Sequence, residues 1–112
     1  MNDSILISVK KILGLAEEYE QFDADVVMHI NSAFMALRQI GIGPQEGFFI
    51  EGKDEEWSDL YGFGSRYEAV KSYIALKVRL MFDPPASESL IKCINEQIAE
   101  LEWRLCLEAG DN

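Results

Sequence analysis

The sequence of 112 residues predicts an all-α fold: a small four-helix bundle with a long aromatic and acidic loop between its second and third helices. Three observations lead there. Tyr67 to Phe82, YEAVKSYIALKVRLMF, carries two adjacent apolar stripes at helical spacing, Val70, Ile74, Val78 and Met81 beside Ala69, Tyr73, Leu76 and Leu80. So wide an apolar face needs neighbours on several sides, which makes this the central helix of a bundle. Helix-ending signals, Gly14, Gly41 and Asp83-Pro84-Pro85, punctuate three periodic stretches. Residues 41–65 hold six of the eight glycines and separate the second helix from the third.

The first helix starts after Asn2, Asp3 or Ser4, any of which can cap it, and carries Ile5, Leu6, Val9, Ile12 and Leu13 on one face. Gly14 ends it. After LAEEYEQFD the chain changes direction, and Asp23 is the expected N-cap of a second helix over residues 24–40, with Asp25 in its first turn. Val26, Val27, Ile30, Phe34 and Leu37 form its stripe, and Gly41 its stop. In the central helix Pro84 pushes Asp83 out of the α region, and Pro85 does the same to Pro84, so the helix ends there. Ser87 caps a fourth helix over residues 88–108, in which Ile91, Ile94, Ile98, Leu101 and Leu105 form a heptad seam for packing within the bundle or against a neighbour. Leu90, Trp103, Cys106 and Leu107 lie off that seam and leave surplus apolar surface.

The long loop joins two opposite chemistries. Glu46, Glu51, Asp54, Glu55, Glu56 and Asp59 make it acidic, relieved only by Lys53. Phe48, Phe49, Trp57, Leu60, Tyr61 and Phe63 are not what a disordered linker would carry. The loop either folds back as a mini-core or offers a docking surface, and Phe48 to Ile50, between two glycines, suits a short strand or hairpin. The whole chain is expected to be one domain, residues 1–112.

Twenty acids against ten bases give a net charge of −10, which repels a phosphate backbone, and the bases are scattered rather than gathered on one face. An apolar fraction of 48% excludes a disordered chain. No apolar run approaches the roughly 20 residues that span a bilayer, and the opening MNDSILISVKKILGL lacks the cleavage site of a signal peptide. Cys93 and Cys106, about 20 Å apart on one helix, are expected to be reduced packing residues of a cytosolic chain. His29 is the sole histidine, with no nucleophile or metal-ligand partners at matching spacing. GIGPQEG lacks the Lys-Ser or Lys-Thr of a phosphate loop, and the acids of residues 46–59 lack the ligand pattern of an EF-hand. No enzyme, cofactor or metal site is expected.

The order of parts resembles the head-tail connector proteins of long-tailed bacteriophages and prophages. The resemblance lies in HINSAFMALRQIGIGP, in WSDLYGFGSRYEAVKSYIALKVRLMFDPP and in IKCINEQIAELEWRL, and so covers nearly the whole chain. The run into Phe82-Asp83-Pro84-Pro85 looks like the branch from phages of Gram-positive hosts. The resemblance implies a virion protein without catalytic residues, assembled in the host cytoplasm as a ring of about a dozen copies beneath the portal. Its implied partners are its own copies, the portal and the next head-tail joining or tail protein, and DNA passes through without specific binding. On that reading the acids from Glu46 to Asp59 are candidates for the lumen wall. Phe48, Phe49, Trp57, Tyr61 and Phe63 in the loop, and Trp103, Leu105 and Leu107 near the C-terminus, are candidates for subunit and portal contacts. The competing expectation is an acidic regulator or DNA mimic that occupies a basic protein surface.

Overall fold

The computed structural model describes residues 4–44, 46–60 and 67–110. Its helices are α1 (Ile5–Leu13), α2 (Asp23–Gln39), α3 (Trp57–Leu60), α4 (Tyr67–Phe82) and α5 (Glu88–Gly110). The four expected helices are present, and the loop adds a fifth of a single turn.

Both glycine stops work as the sequence suggests. Gly14 adopts φ 83°, Leu15 N–H donates to Lys10 O at 2.8 Å, and Gly14 N–H donates to Lys11 O at 3.1 Å. Gly41, at φ 92°, repeats the arrangement, with Ile42 N–H on Leu37 O and Gly41 N–H on Arg38 O, both at 3.0 Å. These are Schellman closures, which need a left-handed residue and so favour glycine. Of the three possible caps for α1, Ser4 is the one used: its Oγ accepts Ile7 N–H at 3.3 Å. Ser87 likewise caps α5, accepting Leu90 N–H at 3.3 Å.

Asp23 does not cap α2. The cap position falls on Phe22, which makes no side-chain bond there, and the Asp23 carboxylate lies 2.8 Å from Lys10 Nζ instead. Its oxygen is outside hydrogen-bond geometry, so the contact is one of charge alone. Lys10 is 1% exposed. Its ammonium donates to Glu17 O at 2.9 Å and Tyr19 O at 2.7 Å, which ties the connection between α1 and α2 onto the end of α1.

Helix α4 is the centre, as its two stripes require. It packs against α1, α2 and α5, whereas α2 and α5 have little contact with each other. Val70, Tyr73, Ile74 and Val78 are buried, while Met81, the last residue of the first stripe, is 42% exposed at the overhanging end. Arg79 Nε donates to Asp83 O at 2.8 Å, closing the turn into the two prolines. The core joins Ile5, Leu6 and Val9 of α1 to Val26, Ile30, Phe34 and Leu37 of α2 and to α4. Among the described side chains of α5 only Ile98 and Leu105 are buried, so this helix, about 34 Å long, is attached along its seam.

Candidate functional site

The loop between α2 and α4 is structured, and one residue of α2 explains most of it. The Asn31 amide pairs with Ile50 in both directions: Ile50 N–H donates to Oδ1 at 2.8 Å, and Nδ2 donates to Ile50 O at 2.9 Å. A side chain thus does what a neighbouring strand would do. That is why Phe48 to Ile50 form no strand, and among the described residues only an isolated antiparallel bridge, Ser4 with Glu56, exists. With its backbone satisfied, Ile50 is buried along with Trp57 and Leu60.

The loop aromatics divide into two groups. Trp57 is 1% exposed, its Nε1 donates to Ser8 Oγ at 3.1 Å, and the Lys71 ammonium sits 5.5 Å from its ring centre. Its place is therefore the core, not a contact surface. Phe48 packs edge-on against Phe34, with ring centres 5.1 Å apart, and is half-buried. Phe49 is 51% exposed. Tyr61 and Phe63 lie outside the described residues.

The acids divide in a similar way. Glu55 accepts Glu51 N–H at 2.8 Å and Gly52 N–H at 3.3 Å, and Asp59 accepts Glu56 N–H at 2.8 Å, capping α3 from inside its first turn. Both carboxylates hold turns. The side chains of Glu46, Glu51, Asp54 and Glu56 are exposed. A second group of acids was not evident from spacing: Glu17, Glu18, Glu20 and Asp23 line a cleft of about 330 Å³ together with Lys10 and Lys53.

At the C-terminus, Leu105 is fully buried in the seam, which corrects its assignment as a contact residue, whereas Trp103 is 63% and Leu107 50% exposed. Successive residues turn by 100°, so Trp103 and Leu107 share one line on the side opposite Ile98 and Leu105. Cys93 and Cys106 are free thiols on the exposed surface, not packing residues. The seam also carries a polar lock. Tyr73, fully buried, donates its hydroxyl to Glu102 Oε2 at 2.8 Å. Burial, then this bond and the Glu102 charge, push its pKa well above the ordinary tyrosine range. Beside it an open groove of about 570 Å³ is lined by Ile12, Ala75, Leu76 and Leu101 with Glu68, Lys71 and Glu100.

His29 stacks edge-on near Phe82, with centres 6.4 Å apart, and serves packing. Among the described residues no group of three or more histidine, cysteine or acidic side chains is placed to hold a metal. No helix among them is long and apolar enough to cross a membrane. What the described residues offer is surface: exposed acids on the loop, and exposed apolar side chains on the outer sides of helices. The model of one protein family, described as phage connector protein, matches residues 5–112. No curated protein and no solved structure matches the chain.

Proposed function

The chain belongs to the phage connector protein family, and from that premise we propose that it forms the ring that joins a phage head to its tail beneath the portal. On this reading about a dozen copies surround the channel through which DNA leaves, in the neck of a virion assembled in the host cytoplasm, and the portal and a tail-side joining protein are the neighbouring layers.

The observation that carries the proposal is the outer side of α5. Its inner seam is satisfied by α4, yet Trp103 and Leu107 remain exposed, and an aromatic anchor is the usual centre of a protein contact. We assign this surface to a contact within the assembled ring, on which capture by the portal depends. Phe49, exposed on the loop, with Tyr61 and Phe63 nearby in sequence, is assigned to the neighbouring layer or subunit. Trp57 and Leu105 take no part, because the core already uses them. Glu46, Glu51, Asp54 and Glu56, exposed on that loop, are assigned to the lumen. Each phosphate held by a basic wall would add to affinity, so an acidic wall, in a chain whose net charge is −10, lets DNA slide.

Replacing Trp103 by Glu should leave the helical circular dichroism and the melting curve unchanged while abolishing capture by a portal ring in gel filtration. If the variant unfolds, Trp103 belongs to the core. If it is captured as well as the wild type, the outer side of α5 takes no part in the assembly.

A further inference from the structure

The outer line of α2 is unusual for so acidic a chain. Ala24, Met28, Ser32, Met35 and Gln39 lie opposite the buried side of the helix, all of them are exposed, and none is charged. Met28 and Met35 are 57% and 55% exposed. The outermost side of a helix is ordinarily its most charged. With twenty acids against ten bases, copies of this chain repel one another, and close approach is cheapest where charge is missing. That condition points to a second copy as the occupant.

Resting on the connector reading, we infer that the Met28–Met35 side of α2 receives the Trp103–Leu107 side of α5 from the next copy. Helix α4 lies between α2 and α5, which have little contact with each other, so the two surfaces face away from separate sides of the molecule. Two unlike surfaces on separate sides make a head-to-tail contact, which closes into a ring when the turn per copy is right. The side chains are complementary. Methionine is unbranched and polarisable and adapts to an indole, with a favourable sulfur–aromatic contact. Four apolar side chains make a small contact, so pairs are weak, and a closed ring, in which every copy has two neighbours, gains from the linkage.

The test uses the full chain as wild type, as Trp103→Glu, as Met35→Glu and as an equimolar mixture of the two variants, weighed by sedimentation from micromolar to millimolar concentration. Circular dichroism and cooperative thermal melting check that each is folded. The expected result is wild-type mass growing past the dimer with concentration and each variant alone remaining monomeric. The mixture should stop at a one-to-one dimer, because each variant keeps one working surface. The inference is overturned if the wild type stays monomeric at millimolar concentration, if either variant assembles alone, or if the mixture remains monomeric. Portal capture of the wild type is read separately: if it persists without self-association, only this contact is lost, and if both fail, so does the connector reading.

Discussion

Lys10 occupies a position that a lysine holds only when its charge is matched, since burial of an unpaired ammonium is costly. Two carbonyls and the Asp23 carboxylate supply the match. Lys10→Met keeps the packed stem and removes the donor, which orphans the carbonyls of Glu17 and Tyr19. Asp23 Oδ1, buried and without a hydrogen-bond partner, also loses the charge that faces it. The expected loss is about 1–3 kcal/mol in urea denaturation, and an unchanged midpoint would show that the ammonium is dispensable. Tyr73 makes a second test at this scale. The fold holds its proton to higher pH than the unfolded chain does, so its contribution is complete below the ordinary tyrosine value of about 10 and is lost as pH rises above that value. Tyr73→Phe should cost about 1 kcal/mol at neutral pH and make stability less sensitive to alkali, read from melts between neutral pH and pH 11. A variant that lost stability in alkali as steeply as the wild type would place the titrating group elsewhere.

Helix ends, by contrast, are decided within a few residues. A Cβ at Gly14 would meet nothing within 4 Å, so Gly14→Ala isolates the backbone cost of the left-handed conformation, about 1–2 kcal/mol, read as a lowered melting temperature. Should the melt be unaffected, the Schellman closure contributes nothing. The loop depends instead on one side chain of a distant element. Asn31→Ala should leave α2 helical but release residues 48–52, seen as faster amide exchange at Ile50 together with an overall loss of about 1–3 kcal/mol for the unpaired backbone groups. Retained protection at Ile50 would mean that its burial, rather than the amide pair, holds the segment.

Across the whole molecule, the two tryptophans play opposite parts. Trp57→Ala removes a buried side chain that the loop, α1 and α4 share, at a cost of about 3–5 kcal/mol, which approaches the full stability of a domain this size. Trp103→Ala removes an exposed one and should stay within about 0.5 kcal/mol in the same thermal melts. A Trp57→Ala variant as stable as Trp103→Ala would contradict the core described here. Stability is thus carried by the core: helix α4 touches α1, α2 and α5, and the outward sides of α2 and α5 take little part in it.

The sequence by itself determined four of the five helices, their stops and the central place of α4, because periodicity, caps, glycine closures and prolines act over a few residues. It also sufficed to show that the chain resembles a connector, which the family match over residues 5–112 bears out. Tertiary structure alone decided how each surplus side chain is used. Asp23 has the composition of a cap and becomes the partner of Lys10, because a charge buried thirteen residues earlier in α1 needs it more than a helix end does. Phe48 to Ile50 have the pattern of a strand, but Asn31 satisfies the backbone first. Trp57 and Trp103 look alike in sequence, each beside an acid, and only the packing of distant elements buries one and exposes the other. Contact surfaces are what a fold leaves over after its core is filled, and that remainder depends on pairings far apart in the chain.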